Sequence, residues 1–448
     1  MLEQTAKLSV AETKGNYLPI YVWALVILLI AESIGSISIP AGPGKVVLLP
    51  MVWALLLGAA LGLFSQKANT PYSITRSRQV LSSRILQPAL LIFIAKLGLV
   101  VGGSLPTIIQ SGWALAFQEL GHFVGTILLG LPVALMLGIK REAIGATFSV
   151  GREPSLAIIG EKYGMNSPEG RGVLAEYLTG TLFGALFIAI VAGFITSLGI
   201  FDPRSLAMAS GVGSGSMMAA AAGAIAAQVD KVTSETVMAL AAASNLITTT
   251  IGTYFTLFIS LPLAVKAYQW FEPVLGRRHA QKDESVNAKS DQDALRSVEE
   301  NEQHAGLSWS EKVIAWFATT ILCIAGNWIA TGTFSVVVLE AGLILIAVSL
   351  LGDMVYQLSG KKVPAVCWVS FIAMFATSPW CPWAAEIAAT TKTIGVLPII
   401  TPMLTFAGLS IAKDLPAFRK LGWRIVLVSF LANFGTFIGA ALIAEFFH

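Results

Sequence analysis

The apolar positions of this chain fall in long runs, neither alternating as in a half-buried strand nor striped as on a surface helix. Runs of transmembrane length recur from Tyr17 to the C-terminus, and about 20 such residues cross the hydrocarbon core as a helix. About eleven spanning helices are expected, near residues 17–36, 46–65, 87–104, 112–138, 173–200, 235–265, 313–331, 335–352, 364–380, 387–412 and 422–446. Two further apolar segments, 141–165 and 205–229, are broken by glycine and polar residues and read as re-entrant or discontinuous hairpins. The first apolar run lacks a small-residue cleavage site, so it is expected to stay as a helix and not to act as a signal peptide. The expected organisation is a cytoplasmic tail (1–16), a first helical repeat (17–138), a central hairpin core (139–265), a disordered cytoplasmic linker (266–312) and a second helical repeat (313–448).

Composition agrees with this all-α membrane class. Hydrophobic residues make up 55% and charged residues 12%, against about 25% charged in soluble domains. The net charge of +3 gives no nucleic-acid footprint. The basic residues matter through their positions. Lys67, Arg76, Arg78 and Arg84 place the 66–87 loop, and with it the N-terminus, in the cytoplasm. The later clusters at 140–141, 277–296, 361–362 and 413–424 fall on the same side whether the two broken segments are re-entrant or fully spanning. Cys323, Cys367 and Cys381 form no C-x-x-C, so metal and disulfide readings are weak. Tryptophans near run ends fit an interfacial belt.

Two internal repeats shape the expected architecture. Residues 98–126 match 408–436 without a gap, with 8 identities in 29 positions, among them Gly98/Gly408, Pro106/Pro416, Gly112-Trp113/Gly422-Trp423 and Gly125-Thr126/Gly435-Thr436. The connecting loop of the second copy is basic and that of the first is not. The charge bias therefore puts the copies on opposite sides, the mark of an inverted-topology repeat. More weakly, 149–157 resembles 211–219, which favours two hairpins entering from opposite faces.

Candidate chemistry gathers at those breaks. Gly151 and Pro154 interrupt one segment, and Gly211, Gly213 and Gly215 the other. Interrupted helices in matched halves point to a transporter binding site, because free backbone amides can hold an anion. Close helix packing by glycine is the other reading. Arg152 and Glu153 are charges in an apolar setting, where each costs roughly 3 kcal/mol on insertion scales. Arg152 can grip a carboxylate, and Glu153 can neutralise it or carry a proton; a structural Arg–Glu pair is the alternative. Glu119 and His122 share a helical face as a proton relay or a satisfied core pair. Asn245 and Thr248–Thr250 offer oxygens to a solute or Na⁺, or bond neighbouring helices. Glu176 reads as a cap near a helix start. Glu32, Glu340 and Glu386 read as interfacial. Lys96 and Lys392 lie at unmatched positions of the repeats and carry no reading.

The run Gly151-Arg-Glu-Pro-Ser-Leu-Ala, followed by Ser210-Gly-Val-Gly-Ser-Gly-Ser-Met-Met218, resembles an uncharacterised bacterial family of multi-spanning membrane proteins known only as a domain of unknown function. The region 145–265 is also distantly similar to the LrgB/CidB family, which includes glycolate and glycerate transporters and holin-like proteins. That family sits within the cation/proton antiporter and anion transporter superfamily. The resemblance implies a two-domain, elevator-like fold with crossing broken helices. It implies a substrate site of Arg152, Glu153, Pro154 and Ser155 facing Gly213, Ser214, Gly215 and Ser216, with Asn245 beside them. Glu119, His122, Glu153 and Thr249 are the expected ion-coupling residues. The chain departs from the LrgB pattern in its Arg-Glu before the proline, and it lacks the intramembrane aspartates of sodium/proton antiporters.

The expected function is ion-coupled secondary transport of a small organic anion by alternating access, in a bacterial inner membrane, driven by H⁺ or Na⁺ and without a resident cofactor. A passive channel or holin-like pore is the alternative. An enzyme is not expected: no H-E-x-x-H, G-x-S-x-G or histidine cluster occurs. The bilayer and a small solute are the expected partners, and a homodimer is allowed.

Overall fold

The structure is a computed structural model. It describes residues 17–65, 70–103, 109–110, 112–150, 153–164, 167–250, 252–276, 307–332, 334–360, 363–415 and 422–447, except the side chains of Glu153, Pro154, Ala157, Glu161, Thr250 and Thr253. The chain opens with α1 (Leu18–Ile34), a β-hairpin of β1 (Ile37–Ala41) and β2 (Gly44–Leu48), α2 (Pro50–Phe64), α3 (Arg76–Gly103) and α4 (Gly112–Met136). The first broken segment is α5 (Glu142–Thr147) and α6 (Glu153–Lys162). A long helix follows, α7 (Pro168–Thr179) passing through a π turn into α8 (Ala185–Leu198). The second broken segment is α9 (Pro203–Ser210) and α10 (Gly215–Ala226). After it run α11 (Lys231–Thr250), α12 (Gly252–Phe255), a π turn at Thr256–Ser260, and α13 (Leu261–Leu275). The last part holds α14 (Trp309–Thr331), α15 (Val336–Leu358), α16 (Ala365–Thr377), α17 (Ala384–Thr391), α18 (Leu397–Ile411) and α19 (Trp423–Phe446).

Among the described residues, six helices are long and apolar enough to cross a membrane: α3, α4, the Pro168–Leu198 helix, α14, α15 and α19. The apolar helices α1, α2, α10, α16 and α18 are shorter. The long candidates account for six of the roughly eleven expected spans, and apolarity elsewhere continues through points where the helix stops. The all-α expectation also misses the hairpin, where Ile37 pairs Leu48 and Ala41 pairs Gly44 around Gly42 at φ +60°. Glycine leading a two-residue turn is the II′ preference. The strand takes the first residues of the span expected at 46–65, and Pro50 starts the helix. Helix α3 begins eleven residues before its apolar run, taking Arg76, Arg78 and Arg84 into its first turns and continuing through Pro88. The expected linker at 266–312 overlaps α13, which stays helical to Leu275; residues 277–306 lie outside the described residues.

Helices α1–α3 and α14–α18 pack together, α4, α5, α7, α8 and α9 pack on α19, and α11 packs on α3 as well as on α9 and α10. Helices α4 and α19 pack with their backbones in contact. Phe117 stacks on Phe447, and a methyl on Gly121 would lie 2.1 Å from the Gly439 carbonyl oxygen. A methyl on Gly125 would lie 2.0 Å from that of Gly435, and one on Gly435 only 2.3 Å from that of Gly125. Residue numbers rise along one helix as they fall along the other, so the two run antiparallel. Two G-x-x-x-G faces let the backbones touch, the usual device where lipid removes the hydrophobic drive to associate. Beside them the Thr126 and Thr436 hydroxyls are 2.5 Å apart.

Candidate functional site

The second break is a cradle of backbone carbonyls held by α11. Ser210 ends α9, Gly213 takes φ +102°, and Ser214 caps α10 by accepting from the Met217 amide at 3.3 Å. Glycine adopts that backbone without strain. The Ser214 and Ser216 hydroxyls lie 3.1 Å apart. Asn245 Nδ2 donates to the Gly211 carbonyl at 2.7 Å and to that of Gly213 at 3.4 Å. One turn of chain earlier, Ser244 Oγ donates to the Met208 carbonyl at 2.7 Å. Helix termini leave carbonyls without intrahelical partners. Here α11 supplies the donors that the interrupted helix lacks, a buried duty that Gly211 permits by letting Ser244 approach.

That cradle is wired to a buried carboxylate. The Ser244 hydroxyl hydrogen is committed to Met208, so its oxygen accepts from Gln118 Nε2 at 3.0 Å. Gln118 Nε2 also reaches Glu119 Oε1 at 3.3 Å. Thr248 Oγ1 donates to Glu119 Oε1 and lies 3.0 Å from the Ser244 carbonyl. His122 Nδ1 lies 3.4 Å from Glu119 Oε2. Glu119 is 1% exposed and His122 2%. Gln118 Oε1 and His122 Nε2 are buried with no hydrogen-bond partner, a condition that commonly marks a functional group.

The first break has its own partners. The Phe148 carbonyl accepts from Ser260 Oγ, and Ser155 Oγ donates to Ser149 Oγ at 2.9 Å. Asn245 of α11 thus holds the second break, and Ser260 of the π turn before α13 holds the first. Local sequence signals a break but not which element will hold it. Gly151 and Arg152 lie outside the described residues; Glu153 and Pro154 start α6, and their side chains are not described. Thr249 is half-buried, and it is Thr248 that reaches Glu119.

Sequence reasoning missed three features. Glu176 is no cap: Ser167 caps α7, accepting from Gly170 at 2.9 Å, and Glu176 is fully buried with Asn433 Nδ2 of α19 at 3.4 Å from its Oε1. A third interruption separates α17 from α18. Asn327 of α14 clamps it, donating to the Thr393 carbonyl at 3.1 Å and accepting from the Gly395 amide at 2.9 Å. Lys96 Nζ, buried, donates to the Thr391 carbonyl at 2.6 Å, a cation at a helix C-terminus. Gly395 followed by Pro398 was the only local signal of that break. The partners of Glu176 and Lys96 lie hundreds of residues away, and no spacing rule reaches them.

The fold and site define a polytopic α-helical membrane protein with interrupted helices and buried ionisable groups. The family described as protein of unknown function (DUF3100) matches residues 29–270, more than half of the chain, and the chain belongs to that family. No curated protein and no solved structure matches it.

Proposed function

We propose that this protein is an ion-coupled secondary transporter of a small organic anion, working by alternating access in a bacterial inner membrane with its N-terminus in the cytoplasm. The observation that carries the reading is the bond chain from Glu119 through Gln118 and Ser244 to the carbonyls of the second break. It gives an ionisable group a direct hold on irregular backbone in the membrane interior. Such backbone is tolerated only where protein or a water-filled cavity covers it, and ionisable groups there are functional by default.

The α4–α19 pairing supports the inverted-repeat reading. Gly125 meets Gly435 and Thr126 meets Thr436, and each pair is also matched in the sequence repeat. Antiparallel equivalents meeting at equivalent residues are what a two-fold axis in the membrane plane requires. The anion reading rests on the positive dipole ends at the N-termini of α6 and α10. The likeness to the LrgB/CidB family rests on the hairpin motifs alone.

Uptake into proteoliposomes tests the proposal, using a panel of small carboxylates under imposed H⁺ or Na⁺ gradients. Saturable accumulation that collapses with the gradient is expected. Non-saturating flux indifferent to the gradient would instead establish the passive pore. Arg152→Ala is expected to abolish uptake with membrane insertion intact, and unchanged uptake removes Arg152 from the site.

A further inference from the structure

A cavity lies where α11 meets α3 and α16. Helices α3 and α16 form one wall, and they are locked together. A methyl on Gly98 would lie 2.5 Å from the Ala373 Cβ, one on Gly102 would strike the Met374 carbonyl, and Thr377 Oγ1 donates to the Leu99 carbonyl at 2.8 Å. The other wall is α11, whose Ser244 and Asn245 hold the second break. The cavity has a volume of about 10 Å³, room for roughly one water molecule. Its lining is mostly apolar, with Ile94, Leu97, Ala243 and Val366 among it, and its two polar side chains are Asn245 and Ser370.

Both of these side chains are more than nine-tenths buried. Asn245 is oriented from behind. Its Nδ2 hydrogens go to the Gly211 and Gly213 carbonyls, and turning the amide over would set oxygen against oxygen twice. Oδ1 is therefore the acceptor on the cavity wall, and among the described residues nothing donates to it. Ser370 Oγ likewise has no hydrogen-bond partner among the described residues. Buried polar atoms almost always have a partner, so two such oxygens lining one cavity point to a guest that satisfies both.

The sign of the guest follows from the oxygens. An amide oxygen repels a carboxylate and attracts a cation. Gly211, whose carbonyl Asn245 holds, caps the C-terminus of α9, the negative end of a helix dipole. Broken-helix C-termini and neutral oxygens are the setting in which transporters hold Na⁺. The size excludes an organic solute or a hydrated ion, whereas a bare Na⁺ fits where one water would. We propose that this cavity is a Na⁺ site shared by α11 and α16, with Asn245 Oδ1 and Ser370 Oγ as two of its ligands. Its role rests on the transport reading, which it deepens by naming the coupling ion. The two ligands stand on opposite walls, so the ion ties the helix that holds the second break to the locked α3–α16 pair. A ligand shifts a conformational equilibrium by its differential affinity for the two states. Na⁺ therefore favours the state with these walls together, and its release lets α11 part from them.

The test is thermal unfolding of the purified full chain in detergent, titrated with NaCl against KCl and choline chloride at constant total chloride, with no solute needed. A saturable rise in Tm with Na⁺ alone is expected, because a ligand that binds only the folded state stabilises it. Ser370→Ala removes one oxygen and no clamp on the break, and it should raise the half-saturating Na⁺ concentration about tenfold. Ala243→Val keeps both oxygens and fills the space, so it should weaken the Na⁺ response as well; it serves alone if Ser370→Ala does not fold. Equal responses to Na⁺, K⁺ and choline, or a wild-type Na⁺ response in either variant, overturn the inference. If Na⁺ stabilises the protein and the variants weaken that effect, but no anion accumulates in proteoliposomes, the cation site stands and the carrier reading falls. If an anion accumulates while Na⁺ stabilises no more than choline does, the carrier reading stands and the cation site falls.

Discussion

Asn245 does at one residue what a regular helix does with its own backbone. Its amide donates to two carbonyls that the broken helix leaves open. Asn245→Ala should destabilise the protein by about 1–3 kcal/mol, the range for a buried polar group left unsatisfied, read as lower thermal stability in detergent. Gly213→Ala should cost about 1–3 kcal/mol in the same measurement, because a side chain at φ +102° is strained wherever it points. At the start of α11 the hydroxyl and amide of Thr233, and the Val232 amide, hold the Asp230 carboxyl below its ordinary value. A depressed carboxyl stabilises the fold above its unfolded value, and that contribution disappears as pH falls through the lower folded value. Hydrogen exchange at the first turn of α11 should therefore accelerate only in strong acid, and Asp230→Ala should remove that dependence.

Among the elements, α4 and α19 carry a backbone-to-backbone constraint. Any Cβ at Gly125 meets the Gly435 carbonyl at 2.0 Å, which no rotamer relieves. Gly125→Ala should cost at least the roughly 1–3 kcal/mol typical of overpacking, and Gly112→Ala, which faces open space, should cost far less; paired thermal scans check both. The neighbouring threonines give a second test. Thr126→Cys with Thr436→Cys, in a chain freed of Cys323, Cys367 and Cys381, should oxidise to a disulfide, seen as a shift in gel mobility. Helix α3 continues through Pro88 while α18 starts at Leu397 just before Pro398, the position that the repeat's offset, carried ten residues upstream, sets against Pro88. Sequence equivalence thus fixes the residue type and not the helix around it. What differs is the neighbourhood, since Asn327 and Lys96 support a gap before Pro398.

For the whole molecule, alternating access requires some interfaces to stay closed while others slide. The α4–α19 crossing has backbone against backbone, so it can rotate only as a unit. The disulfide across Thr126 and Thr436 is therefore expected to leave solute uptake intact, and lost uptake in the oxidised protein would make this crossing itself a moving interface. The sequence alone determined the membrane class, because a run of apolar residues needs no partner to be recognised. It also located both broken segments, since glycine and proline act on their own backbone. The pairing of Glu119 with Thr248, of Glu176 with Asn433 and of Asn245 with Gly211 was decided only by tertiary structure. So were the separate partners of the two breaks, Asn245 for the second and Ser260 for the first. A hydrogen bond between residues far apart in the chain depends on how helices cross, and crossing is set by packing that no local pattern encodes.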